Sequence, residues 1–209
     1  MKHHTIPAAE KVGFWRWISA STIALVTTQA VYHWSMEGDS KPVKWFDRDA
    51  EKMADAHVLG YRVSEDLKWA VVYGIKKGGS GAVEGCMQLH SKERSKSNFF
   101  EGHAASFAQF KPDGAAAPVT LVAFAQKTAS LSQLQIVEVG AGAGGGSFAR
   151  VAGMIRYEDA NDFPTSVIAS EKHNVIYVLS KMGYIFIFDI ATGTELFKSR
   201  ISESALFVN

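Results

Sequence analysis

Hydrophobic and polar residues alternate over short distances along most of the chain, which is typical of β-strands. Runs such as "WAVVYG", "TLVAFA" and "VIYVLS" are rich in β-branched and aromatic residues and are bounded by Gly, Asn, Asp and Ser. Helical periodicity is almost absent. The stretch nearest to it, "DRDAEKMADA" (47–56), is polar, and we interpret it as a loop. The pattern therefore predicts an all-β protein.

The predicted strands recur in four similar segments. Each segment has a first apolar strand, a polar turn, a central strand, a second turn and an alternating strand. Central strands fall near Ile23, Ala70, Leu121 and Ile176, and a spacing of roughly fifty residues with four strands per repeat is typical of β-propeller blades. We predict a partial β-propeller of about four four-stranded blades, in the segments 14–36, 57–91, 103–139 and 163–197.

A glycine-rich stretch, "LQIVEVGAGAGGGSF" (134–148), offers a different interpretation. Gly140, Gly142 and Gly145 match the G-x-G-x-x-G pattern of nucleotide-binding turns, so an S-adenosylmethionine-dependent methyltransferase is one alternative. Such a loop needs a helix directly after it to hold the ligand. The residues after Gly146 read mostly as strands, which favours a surface hairpin loop. A helix of ten or more residues there would support the enzyme.

Composition gives little sign of a charged partner or of catalysis. The 22 basic and 21 acidic residues among 209 leave a net charge of +1, so no strong field attracts nucleic acid. We interpret the single cysteine, Cys86, as a small buried hydrophobic residue. The sequence holds no H-E-x-x-H, G-x-S-x-G or P-loop motif. We predict no catalytic residues, no metal and no cofactor.

One uncharged window, residues 17–36, has the length of a membrane-spanning helix. It is rich in Ser and Thr, and Thr27, Thr28 and Gln29 divide it into the short runs "TIALV" and "AVYHW". A β-hairpin explains this pattern better than a helix in contact with lipid.

Several long stretches resemble the amino-terminal propeller of the clathrin heavy chain. They include "AVYHWSMEG", "EGHAASFAQF" and "NDFPTSVIASEKHNVIYVLS", and the resemblance runs in order through nearly the whole chain. It implies a seven-bladed propeller at the tip of a triskelion leg. Residues 1–209 would be the end of blade two, blades three to six and the start of blade seven. The first blades and the α-solenoid leg would be absent.

The resemblance implies a non-enzymatic module of the vesicle coat, acting in clathrin-mediated transport and endocytosis. Its expected partners are adaptor and accessory proteins that carry short linear motifs, with other heavy chains and light chains bound through regions absent here. It would lie on the cytosolic face of coated pits and vesicles, with membrane association only through adaptors. A generic scaffolding propeller without adaptor binding is an alternative.

The resemblance also implies peptide-binding sites. The family's principal groove lies between the first two blades and would fall largely before Met1. A second groove, between blades four and five, takes a leucine-rich loop. The positions that match this groove are Trp69, Leu89, Arg94, Lys96 and Asn98. Two of them depart from the family: Lys96 stands where an apolar residue is usual, and Asn98 stands where Gln is usual. Without the resemblance, Trp69 and Leu89 can also be interpreted as core residues.

The third implied site lies in the central cavity and takes tryptophan-containing peptides. His57 and Leu59 match it, where the family usually has Gln and Ile. An incomplete ring also leaves the flanks of its terminal blades uncovered. We therefore expect the isolated chain to be poorly soluble or to associate.

Overall fold

The computed structural model describes residues 6–7, 10–79, 81–141 and 146–203. Within these ranges the chain forms sixteen strands and no helix. The strands make four four-stranded antiparallel sheets, and in each sheet they lie side by side in chain order. The prediction of an all-β chain with about four four-stranded blades is confirmed.

The sheets follow one another along the chain. The first contains β1 (Val12–Trp17), β2 (Thr22–Thr27), β3 (Ala30–Ser35) and β4 (Val43–Asp47). The second contains β5 (His57–Val63), β6 (Trp69–Lys77), β7 (Val83–Ser91) and β8 (Lys96–Phe100). The third contains β9 (Gly102–Phe110), β10 (Val119–Lys127), β11 (Ser132–Glu138) and β12 (Val151–Met154). The fourth contains β13 (Pro164–Ser170), β14 (Val175–Ser180), β15 (Tyr184–Asp189) and β16 (Glu195–Arg200).

The chain divides into two compact units. Met1–Lys76 and Cys86–Phe100 form the first unit, and Lys77–Gly85 and Glu101–Asn209 form the second. In the first unit, alternate residues of the first two sheets form one apolar core. Cys86 is 5% exposed within it, as predicted for a small buried hydrophobic residue. The other buried members are Ala24, Val26, Val31, Phe46, Met53, Tyr61, Ala70 and Val72.

A polar and aromatic cluster also joins the first two sheets. His33 on β3 and the Tyr61 hydroxyl on β5 share a 2.7 Å hydrogen bond. The imidazole stacks on the Trp45 ring with centroids 4.1 Å apart, and the Lys92 ammonium lies 4.2 Å from the centroid of that ring. Burial, with a smaller effect of the Lys92 charge, lowers the pKa of His33 to about 4.

Two further predictions concern the first unit. The uncharged window 17–36 forms the antiparallel pair β2 and β3, as expected of a hairpin. No helix in the described ranges has the length and apolar character that crossing a membrane requires. The polar stretch 47–56 consists of the end of β4 and turns, in which the Asp49 carboxylate accepts hydrogen bonds from the backbone of Glu51 and Lys52.

In the second unit a buried carboxylate fixes the start of the fourth sheet. Asp162 is fully buried. Its Oδ2 accepts a 2.6 Å hydrogen bond from the Ser180 hydroxyl. Its Oδ1 accepts bonds of 2.9 Å from the backbone N–H groups of Phe163 and Met182. Asp162 therefore ties the strand that begins the sheet to the turn between β14 and β15.

The glycine stretch leads into a strand. Gly142 and Gly145 lie outside the described residues, but β12 begins at Val151 and pairs antiparallel with β11. Glu138, the last residue of β11, accepts a 2.8 Å hydrogen bond from the backbone N–H of Phe148. The hairpin interpretation is confirmed, and the helix that a nucleotide-binding loop requires does not follow. Of the final stretch, 201–209, which is predicted to begin another blade, residues 201–203 are not in a strand and residues 204–209 lie outside the described residues.

Replacing Asp162 should destabilise the chain. Asp162→Ala leaves a buried hydroxyl and two backbone donors without their acceptor, so we expect a loss of about 3 kcal/mol in the free energy of unfolding. Urea denaturation monitored by circular dichroism measures it. Asp113→Ala, at an exposed carboxylate of the second unit, should change stability by less than about 0.5 kcal/mol. Equal effects of the two substitutions would contradict this role of Asp162.

Acid should destabilise the chain through buried histidines. Burial lowers the pKa of both His33 and His103 from 6.5 to about 4. The unfolded chain binds these protons at higher pH than the folded chain, so stability falls as pH decreases from 6.5 to about 4. Linkage gives about 3 kcal/mol for each group. His33→Gln should reduce this slope in unfolding measurements at several pH values, whereas His173→Gln, at an exposed position, should leave it unchanged.

Candidate functional site

Three predicted site residues project from one face of the second sheet. In the β7–β8 pair, Leu89 lies opposite Asn98, and Ser91 lies opposite Lys96. Directly paired residues carry their side chains on the same face of a sheet. The neighbouring residues on β7 face the other way: the Gln88 side chain donates to the Asp47 carbonyl at 2.9 Å. Leu89, Lys96 and Asn98 therefore lie on the face that points away from the first sheet.

Trp69 lies on the same face. It alternates with Ala70 and Val72, which are buried in the core between the first two sheets, so its side chain projects to the opposite side of β6. The Trp69 backbone N–H donates a 2.9 Å hydrogen bond to the Ser64 hydroxyl oxygen. The Ser64 hydroxyl in turn donates to Asp66 at 2.6 Å. The turn between β5 and β6 thus fixes the position at which Trp69 enters the sheet.

Arg94 lies beside these residues, on the turn between β7 and β8. The two turns are at the same end of the sheet, because the Lys92 backbone N–H donates to the Lys68 carbonyl at 2.9 Å. A 2.7 Å ion pair between Lys68 and Glu93 also joins them. Both charged groups are largely exposed, so the pair contributes little to stability. The structure brings all five positions of the second predicted groove to one end of the second sheet.

These five residues differ in exposure. Leu89 is only 4% exposed, and Trp69 is half-buried. Arg94, Lys96 and Asn98 are exposed. A ligand on this face would therefore touch the Trp69 ring and the polar groups, whereas Leu89 is buried. The local surface offers an apolar floor beside hydrogen-bond donors and positive charge.

Two features of this surface escaped the sequence analysis. Phe100 is 37% exposed and pairs with Met87 on the same face as Asn98. The two-residue alternation from Lys96 through Asn98 already indicated its orientation. The Ser64 and Asp66 contacts that support Trp69 follow a recognisable turn pattern, in which short polar side chains bond to nearby backbone groups.

His57 and Leu59 lie elsewhere. Both are on β5, an outermost strand of the sheet, with His57 exposed and Leu59 half-buried. Leu59 sits where the register with β6 shifts, between Val58 and Gly60. A Cβ atom on Gly60 would lie 2.2 Å from the Tyr73 ring, so a glycine is needed at this irregularity. From His57 to Val63 a strand extends about 20 Å, so His57 is at the opposite end of β5 from the turn that leads to Trp69.

No group of three or more potential metal-binding side chains occurs among the residues that the structure describes.

The chain is similar over its whole length to part of several curated proteins. It is 44% identical over 211 residues to clathrin heavy chain 2 of Homo sapiens, and the match covers 100% of this chain and 13% of that protein. It is 44% identical to the clathrin heavy chain of Drosophila melanogaster, covering 100% of this chain and 12% of that protein. It is 40% identical over 217 residues to clathrin heavy chain 1 of Arabidopsis thaliana, with coverages of 100% and 13%. The chain thus spans only about an eighth of these relatives. No family model matches it.

Among solved structures, that of Kluyveromyces lactis Hsv2p is similar to this chain, with a TM-score of 0.56 and 15% sequence identity. The match covers 93% of this chain and 52% of the Hsv2p chain. At this identity the likeness shows the fold alone. Together with the four meander sheets, it gives the chain the fold of a partial β-propeller.

Proposed function

Because this chain belongs to the clathrin heavy chain family, we propose that it is a module of the clathrin vesicle coat that binds short peptide motifs and performs no chemistry. The similarity across the whole chain, at 40–44% identity to the relatives named above, is the observation that carries this proposal. In the cell, this module would act in intracellular vesicle transport and endocytosis.

The proposed main peptide-binding site is the end of the second sheet that carries Trp69. An extended peptide would place a leucine side chain on the half-buried Trp69 ring, on the face that also carries the buried Leu89. The exposed Arg94 and Asn98 side chains would hold peptide carbonyl or carboxylate oxygens. Lys96, on the same face, adds a positive charge where the resemblance implies an apolar contact.

Binding at such a site would be weak. A few contacts around one half-buried ring suit a dissociation constant of about ten micromolar or weaker, which corresponds to about 7 kcal/mol or less. A coat lattice that presents many copies would convert such contacts into selective recruitment through avidity. Weak individual binding is therefore compatible with a docking platform.

His57 and Leu59 form the proposed second site, for tryptophan-containing peptides. The edge position of β5 and the irregular register at Leu59 leave an exposed imidazole beside a half-buried apolar side chain. Such a pair suits a ligand with an aromatic ring and a hydrogen-bonding N–H group.

The proposed partners are adaptor and accessory proteins on the cytosolic face of coated pits and vesicles. In a longer heavy chain, further heavy chains and light chains would bind through other regions. A scaffolding propeller without adaptor binding is the second candidate function, and it would bind neither peptide class. The methyltransferase is not retained, since a strand follows the glycine stretch.

Replacing Trp69 should weaken binding of leucine-rich peptides. Loss of an aromatic anchor from a small site costs roughly 2 kcal/mol, so Trp69→Ala should raise the dissociation constant about 30-fold. Fluorescence anisotropy with a labelled leucine-rich peptide measures it, and Trp17→Ala, at a 50% exposed tryptophan of the first sheet, is the matched control. A tryptophan-containing peptide should respond to Leu59→Ala and not to Trp69→Ala. Equal affinities of wild type and Trp69→Ala would contradict the assignment.

Replacing Lys96 should strengthen the same binding. Lys96 is exposed on the face shared with Leu89 and Asn98, where a leucine would add apolar contact without disturbing the core. Lys96→Leu should lower the dissociation constant for an uncharged leucine-rich peptide about fivefold, corresponding to roughly 1 kcal/mol. Lys77→Leu, at another exposed lysine of this sheet, should leave it unchanged. Weaker binding to Lys96→Leu would show that the lysine itself contacts the peptide.

A further inference from the structure

Several turns between neighbouring strands end in the same backbone conformation. The last residue of each of these turns has a positive φ, and its N–H donates to the carbonyl three residues earlier. This left-handed conformation suits Gly and, among the other residues, Asn best, because a Cβ atom crowds the backbone there. Among the described residues, those in this turn position are Leu67, Gly81, Ser95, Asn174 and Gly183.

Leu67 is the one large apolar residue in this set. Its φ is 55°, a value that is unfavourable for a bulky side chain. The side chain is 44% exposed, so its burial on folding offsets only part of the cost of the conformation. The stability of the folded chain therefore does not explain a leucine at this position.

The rest of the turn holds Leu67 firmly in place. The Leu67 backbone N–H donates to the Ser64 carbonyl at 2.9 Å, and the Ser64 backbone N–H donates to the Trp69 carbonyl at 2.9 Å. The Lys68 backbone N–H donates to the Asp66 carboxylate at 3.0 Å. A backbone strain of this kind persists only where surrounding contacts impose it, and such strained residues concentrate at ligand-binding sites.

Leu67 lies next to the candidate peptide surface. Its Cα atom is two residues from that of Trp69 and therefore no more than about 7 Å away. In an extended peptide, side chains on the same side are also two residues and about 7 Å apart. A peptide that places one side chain on the Trp69 ring can therefore place a second side chain against Leu67.

We propose that Leu67 is a second apolar anchor for peptides bound at the Trp69 surface. The proposal rests on the peptide-binding function proposed above and makes it more specific: the preferred ligand carries two apolar side chains two residues apart. Binding would cover the exposed part of Leu67, so the strain that the free chain carries supports recognition.

The charges of the turn favour a peptide over a membrane as the occupant. Glu65 and Asp66 directly precede Leu67 and are exposed, and Lys68 forms a 2.7 Å ion pair with Glu93. An anionic lipid surface attracts clusters of basic residues and would repel these carboxylates. An uncharged extended peptide meets no such repulsion.

A comparison of two peptides tests the proposal. The first is a labelled, uncharged peptide with two leucines two residues apart, and in the second peptide one of these leucines is replaced by serine. Leu67→Asn should raise the dissociation constant of the two-leucine peptide about fivefold in fluorescence anisotropy. The one-leucine peptide would place its leucine on the larger Trp69 ring, so it should bind wild type and Leu67→Asn equally. Leu196→Asn, at a 57% exposed leucine of β16, is the matched control and should bind both peptides as wild type does.

Thermal unfolding separates a binding role from a structural one. Asn tolerates the left-handed conformation better than Leu, so Leu67→Asn should raise the melting temperature by about 2 °C while it weakens binding. Asn174→Leu makes the reverse change in the corresponding first turn of the fourth sheet, where Asn174 has a φ of 52° and is exposed. It should lower the melting temperature by about 2 °C and leave peptide binding unchanged.

The possible failures are distinguishable. If Trp69→Ala weakens binding of the two-leucine peptide and Leu67→Asn does not, the role of Leu67 is refuted and the proposed function stands. If wild type binds neither peptide, both are refuted. A lower melting temperature of Leu67→Asn would make Leu67 a structural residue. Reduced co-sedimentation of Leu67→Asn with vesicles of phosphatidylcholine and phosphatidylserine, at unchanged peptide affinity, would assign Leu67 to lipid instead.

Discussion

The alternation of side chains along the second sheet is the constraint on which the candidate site depends. Each β-strand sends successive side chains to opposite faces, so residues that fill the core determine where their neighbours project. Ala70 and Val72 face the first sheet, and Trp69 must therefore face away from it. The same rule separates Gln88, which bonds to the chain near β4, from Leu89. The same alternation therefore determines both which residues fill the core and which residues form the candidate peptide surface.

Buried polar groups give this packing its specificity. The His33 and Tyr61 side chains satisfy each other across two sheets, and Asp162 accepts three hydrogen bonds at the start of the fourth sheet. Apolar contacts alone would tolerate a shift of one sheet against another, whereas a buried donor or acceptor that loses its partner is costly. The hydrophobic effect holds the sheets and turns together, and these buried polar groups fix their register. Because burial favours the neutral form of His33, the folded chain is more stable at neutral pH than in acid.

The sequence predicted the strands well because their signal is local. Short apolar runs bounded by turn residues identify the central strands of the repeats, and the residues after Gly146 indicated a hairpin. The sequence allowed both a core and a surface interpretation of Trp69 and Leu89. It could not show that Leu89 is buried and Trp69 only half-buried, because both exposures depend on how neighbouring strands cover the side chains. The register shift at Leu59 also depends on tertiary contact, namely the approach of Tyr73 to Gly60. The grouping of Arg94 with Trp69 needed the pairing of two turns.

The candidate peptide surface suits one kind of ligand. It has one half-buried ring, Trp69, beside the exposed Arg94 and Asn98 side chains, and an extended chain needs hydrogen-bond partners for its backbone as well as an apolar contact. Leu89 lies on the same face but is buried, so an apolar side chain of the ligand would contact chiefly the Trp69 ring. Recognition on this face of the sheet would therefore depend on a single aromatic residue and on the polar groups around it.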